Sequence, residues 1–262
     1  MTEQTALDAA HAAMEAAPQD DAARLRFYER LADSELFLML TEEARDENLS
    51  PEIFDVADGR FVLAFDREDR LARFAGRPAP YAALSGRVLS AMLAGQGIGL
   101  GLNLEVAPSA ILIPAEAMGW LSETLSHAPD EVQAQIAEFT APKGLPESLI
   151  AALDTKLATA VGLAQAAFLV GTLDRNGARG HMLGFVGAVE GAQGALAKAA
   201  SEALTFSGIE AGAMDVGFFA ADDPVTAHLA RAGLKFDLPQ PAEARPARAA
   251  PGSDPEKPPI LK

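Results

Sequence analysis

The sequence predicts an α+β fold: two small mixed α/β domains, each a short sheet covered by helices, with a disordered C-terminal tail. Three observations predict it. Short apolar runs of strand length alternate irregularly with segments whose apolar residues recur at helical spacing. The chain has 262 residues, 49% of them hydrophobic and 22% charged, a globular composition long enough for one or two domains. A stretch at 127–146 holds three prolines and a glycine and divides the pattern into two. The expected organisation is an N-terminal helical extension over 1–22, a first domain over 23–126, a linker over 127–145, a second domain over 146–238 and a Pro/Ala-rich tail over 239–262.

The elements follow in order. Leu7, Ala10, Met14 and Ala17 fall at helical spacing, and Pro18 ends that helix because it lacks a donor and clashes with the preceding turn. Asp20 or Asp21 caps a second helix carrying Leu25, Phe27, Tyr28 and Leu31. Glu35 to Leu40 reads as a buried strand, 41–52 as a polar loop and Arg60 to Phe65 as a second strand. Asp66 caps a short helix with Leu71 and Phe74. Gly76 to Pro80 is a turn, and Leu84, Val88, Leu89, Met92 and Leu93 form the face of another helix.

Gly95, Gly97, Gly99 and Gly101 invite comparison with a dinucleotide fingerprint, but their order is reversed. A phosphate-binding loop leaves a strand and opens a helix, whereas these glycines leave a helix and open a strand over Ile98 to Leu102. Gly95 suits a helix C-cap, and the later glycines suit a strand that another group approaches closely. Ala110 to Ile113 is a strand, and Pro114 opens a helix through Met118, Leu121 and Leu125. The linker is expected to hold a short helical stretch.

In the second half, Leu149, Leu153, Leu157 and Val161 form a helix face. Ala166 to Leu173 and His181 to Val186 form a hairpin about Asp174–Gly177, since Asn-Gly supplies positive φ. A helix over Ala192 to Leu204, a strand over Asp215 to Ala220, a helix opened by Pro224 and a short strand at Leu234 to Phe236 complete it. Of the last 24 residues, twelve are proline or alanine, too few large apolar groups to offset the entropy of ordering.

Charge narrows the function. There are 37 acids against 21 bases, a net charge of −16, so nucleic acid and anionic membrane surfaces are disfavoured as partners. Residues 1–50 hold twelve acids and four arginines, while 59–87 hold six arginines and three acids. The absence of cysteine excludes disulfides, thiol catalysis and thiolate-held zinc or iron–sulfur sites. The first twenty residues lack the apolar core of a signal peptide, and no run reaches the ~20 apolar residues of a membrane span, so a cytoplasmic protein is expected.

No nucleophile elbow, phosphate loop or Ser-x-x-Lys motif occurs, and His11, His127, His181 and His228 stand without neighbouring ligands. No catalytic residue, metal site or cofactor is therefore expected. Asn103 is read first as a tie that holds loop 103–109 to the body, because a buried asparagine needs partners. A binding surface formed by Arg77, Tyr81, Arg87 and Asn103 is the second reading of the same region, since Arg and Tyr are enriched at binding hot spots.

The segments Phe61–Phe65, Tyr81–Leu89, Gly97–Asn103 and Ala110–Pro114 together resemble the N-terminal domain of SseB-type proteins, the enhanced serine sensitivity family and not the secretion translocon component of the same name. Leu145–Glu147, the helix to Val161 and Ala166–Leu169 with the hairpin are similar to that family's C-terminal domain. The resemblance implies a bacterial, non-enzymatic binding or regulatory protein with a protein partner, and it transfers no catalytic residue. The alternative is a small-molecule sensor or enzyme with a ligand crevice near Gly95–Asn103.

Overall fold

The computed structural model describes residues 4–44, 49–56, 59–127, 136–175, 177–209 and 213–240, and the architecture is α+β, with eight helices and two mixed sheets among those residues. Asn176 of the hairpin turn, part of the 127–145 stretch and the tail beyond Gln240 lie outside the described residues.

Two capped helices open the chain. Thr5 begins α1 (Ala6–Ala16): its hydroxyl accepts from Asp8 N–H at 3.1 Å, and the Asp8 carboxylate accepts from Thr5 N–H at 3.0 Å. Asp20 caps α2 (Asp21–Asp33) by accepting from Ala22 N–H at 3.0 Å. In β1 (Glu35–Met39) alternate residues face opposite ways, so Leu36 and Leu38 join the main core while Phe37 and Met39 face the other side.

β2 (Ile53–Val56) is a strand the periodicity does not reveal; it pairs antiparallel with the first half of β3 (Gly59–Phe65), whose second half pairs with β1. α3 (Glu68–Ala75) then lies on the Phe37–Met39 side, with Leu71 and Phe74 in the cluster there. Leu84, expected on a helix, sits instead in β4 (Tyr81–Ser85), paired residue for residue with β1. β1 offers a full edge, and that pairing decides the segment. Ser85 then caps α4 (Gly86–Leu93) at Val88 N–H, 3.3 Å.

The glycine-rich segment forms β5 (Ile98–Leu102), parallel to β3. A Cβ on Gly99 would stand 2.5 Å from the Ile113 carbonyl oxygen and 2.6 Å from the Phe61 ring, so glycine is required by close approach. β6 (Ile111–Ile113) and α5 (Ala115–Ser126) close the half. The sheet order is β4-β1-β3-β5-β6, with α1, α2, α4 and α5 over one face.

Within 127–145 a helical stretch is expected, but the described part forms a strand, β7 (Ile136–Thr140). It pairs antiparallel with β8 (Ala166–Asp174), and that edge decides its conformation. α6 (Glu147–Leu157) lies between them in sequence. β9 (Arg179–Val186) returns along β8, α7 (Gln193–Phe206) follows, and β10 (Asp215–Phe219) pairs parallel with β9. α8 (Val225–Ala232) and β11 (Leu234–Phe236) finish a sheet of order β10-β9-β8-β11. α6 and α7 cover one face and Leu229 of α8 the other.

Candidate functional site between the two halves

The four residues singled out by the sequence lie on different elements. Arg77 is exposed just past the αL residue Gly76, and Tyr81 is 36% exposed on the edge strand β4, its ring 5.4 Å from Phe37. Arg87 opens α4 and is committed to carboxylates of both halves. Asn103 is fully enclosed at the end of β5, with β1 and β3 between it and β4. Its amide donates to Ser109 Oγ at 2.9 Å and its oxygen accepts from Asp66 N–H at 3.1 Å, so it ties loop 103–109 down. Its φ of 50° is one that asparagine tolerates. At Gly99 and Gly101 the adjacent space is already filled by Phe61, Leu63 and Leu104.

Asn103 belongs to a closed polar network. Arg70 is 2% exposed and donates to Asp8 at 3.0 and 2.5 Å and to Asp66 at 2.8 Å. Ser109 Oγ donates to Asp8 at 2.5 Å. Burial alone works to raise the Asp8 pKa, but hydrogen bonds from Arg70, Ser109 and Thr5 N–H and the guanidinium charge outweigh it. They hold the carboxyl well below the usual carboxylate range. The network joins α1, α3 and the end of β5 and faces no solvent, so its chemistry is structural.

A second charged cluster lies where the halves meet. Glu29 and Asp33, one turn apart on α2, and Arg87 of α4 come from the N-terminal half; Lys156 of α6 and Glu202 of α7 come from the other. Arg87 is bidentate to Glu202 at 2.7 and 2.6 Å and also donates to Asp33 at 2.6 and 3.1 Å. Lys156 Nζ lies 2.6 Å from Asp33, 3.1 Å from Glu202 and 3.5 Å from Glu29. Burial would raise the Glu202 and Asp33 pKa values, but the cations reverse this and lower both. At Glu29 burial prevails over Lys156, and nearby Asp33 adds to it, so its pKa is raised.

An apolar contact accompanies the charges. Phe206, at the end of α7, is fully buried in the N-terminal core, with Trp120 5.3 Å from Tyr28 and 6.4 Å from Phe206, both edge-on. Beside this junction runs an open groove of about 600 Å³ between α1, α2 and α6. Ala6, Ala9, Ala10 and Ala13 of α1 form one wall. Ser148, Ala151, Ala152 and Thr155 of α6 form the other, with Ala23 of α2 also lining it. Arg26, Glu29, Arg30 and Glu147 supply its charges. Arg26 reaches Asp20 only at 3.7 Å, and the Arg30 guanidinium takes no ion pair or hydrogen bond among the described residues.

Of this site, Arg87 is marked by the sequence, whereas Glu29, Asp33, Lys156 and Glu202 are missed by it. One signal is present. Leu149, Ala152, Leu153, Lys156 and Leu157 are the buried face of α6, so Lys156 occupies a core position at i+7 from Leu149. A charge at such a position needs a partner from elsewhere in the fold.

Among the described residues no three His, Asp or Glu converge to hold a metal ion, and no helix is long and apolar enough to cross a membrane. In comparisons with known proteins, residues 7–120 match the family model of the SseB protein N-terminal domain, a segment that runs from α1 to Trp120 of α5. Neither a curated protein nor a solved structure matches the chain.

Proposed function

We propose that this chain, with an SseB-type N-terminal region over 7–120, is a non-catalytic cytoplasmic binding protein of that family whose second half is the family's C-terminal domain. The family's name ties it to serine tolerance, a phenotype that a protein partner would convey. The partner segment is an amphipathic helix bearing carboxylates, seated in the groove between α1, α2 and α6. One observation carries this: a groove of about 600 Å³ with alanine walls and two arginines without a close acidic partner. Small residues let a third helix approach closely, which is the helix-in-groove mode, and Arg26 and Arg30, one turn apart, complement carboxylates at the same spacing.

The test is quantitative affinity capture with the full chain, with Arg26→Glu/Arg30→Glu and with Arg77→Glu/Tyr81→Ala. Loss of a saturable partner in the first variant, with retention in the second, supports the groove. Retention in the first and loss in the second assigns binding to the surface around Arg77 and Tyr81, part of the second reading of the sequence.

A further inference from the structure

Among the described residues, three carboxylates share two cations in the ion pairs of the junction. Asp33 and Glu202 take every short contact that Arg87 and Lys156 offer, between 2.6 and 3.1 Å. Glu29 is left with Lys156 Nζ at 3.5 Å, although it is only 8% exposed. The α1 wall facing the groove presents only alanines, while His11 packs on Phe27 and Asp8 on Arg70. Arg26 and Arg30 of its own helix and Glu147 of α6 share the groove with it, and the pull of Arg30 on Glu29 is weaker than that of Lys156. A carboxylate in excess, enclosed and poorly paired, is the position where a proton costs least.

We propose that Glu29 carries a proton when the two halves are closed on each other, and that its ionisation loosens the junction and cancels the positive field of the groove. Burial pushes the Glu29 pKa up, against the pull of Lys156, whereas Asp33 and Glu202 are held down by the cations. A carboxyl raised in the folded state contributes stability that is complete below its unfolded pKa, about 4.3, and is lost as pH rises through the folded value. Asp33 and Glu202 are depressed, so their contributions are lost only as pH falls through their lowered values. The junction is therefore tightest between the lowered values of Asp33 and Glu202 and the raised value of Glu29. With Glu29 neutral, the groove keeps Arg26 and Arg30 against Glu147, a net positive wall for an acidic helix. That last consequence rests on the groove reading above; the proton on Glu29 does not.

The experiment is a ¹³C NMR titration of the Glu29 carboxyl in the full chain, with stability against pH for wild type and Glu29→Gln. The expected midpoint lies above that of an unstructured glutamate, and Glu29→Gln removes the fall in unfolding midpoint that wild type suffers as pH rises. Lys156→Met should move the Glu29 midpoint further up. A midpoint at or below the unstructured value, or parallel pH profiles for wild type and Glu29→Gln, overturns the proposal. If Lys156→Met does not fold, the wild-type titration decides alone. Both readouts use the protein by itself, so a groove that binds no partner would leave the raised midpoint of Glu29 standing.

Discussion

Asp8 is held by hydrogen bonds from three separate segments. It is 1% exposed, caps its own helix and accepts three bonds from Arg70 and Ser109. Removing it as Asp8→Ala leaves a buried guanidinium with Asp66 alone, and breaking a buried pair from one side costs about 3 kcal/mol or more. Urea denaturation near neutral pH should show that loss. The same group predicts an acid limb: a carboxyl depressed in the folded state gives stability that is present above its unfolded pKa, about 3.9, and is lost as pH falls towards the folded value. Stability in Asp8→Asn should therefore change less below about pH 4 than in wild type. The asparagine of this network is legible in the sequence because a polar residue between apolar strand residues must find partners. Arg70 is not, since an arginine on a short helix reads as solvated until the fold brings α1 over it.

Elements are legible where a local pattern decides them and hidden where a distant edge does. The helical spacing of Phe27 and Leu31 in α2 and the apolar run of β8 each suffice locally. β4 and β7 are short and weakly patterned, and what makes them strands is the open edges of β1 and β8. Tyr81 finds its partner at Met39 and Ser85 at Glu35, far back along the chain. Pairing across such distances leaves no local period to read. The join between β4 and α4 also carries a strict packing demand. Gly86 donates its N–H to the Ser34 carbonyl at 3.0 Å, and a Cβ there would stand 2.0 Å from the Leu31 carbonyl oxygen. Both oxygens are backbone atoms, so neither can rotate aside. Gly86→Ala should force α4 off the end of α2 and cost about 3 kcal/mol or more, as overpacking does at its upper range. Gly101→Ala, whose Cβ meets the flexible tip of Leu63 at 2.5 Å, should cost less. Chemical denaturation of the two variants side by side checks the ranking.

At the scale of the whole molecule, the question is whether the two sheets behave as one cooperative body. The junction couples them in two ways that fail differently. Phe206 is an apolar side chain of α7 embedded in the core of the other half, and truncating such a residue costs about 3–5 kcal/mol. The Arg87–Glu202 pair is bidentate and partly buried, and its partners are shared with Lys156 and Asp33. Groups in one ionic network are not additive, so Arg87→Ala and Glu202→Ala should cost less together than the sum of each alone, by about 1–3 kcal/mol. Phe206→Ala combined with Glu202→Ala removes the apolar contact and the Arg87–Glu202 pair, leaves Lys156 on Asp33 at 2.6 Å, and keeps each sheet's own strands paired. Calorimetry should then show one unfolding transition in wild type and two in the double variant. The C-terminal half should melt at a temperature insensitive to Asp8→Ala, because the network of Asp8 lies wholly within the N-terminal half. A single transition persisting in the double variant would mean that the remaining contacts, Lys156–Asp33 among them, hold the halves together, and that Phe206 and the Arg87–Glu202 pair do not decide their coupling.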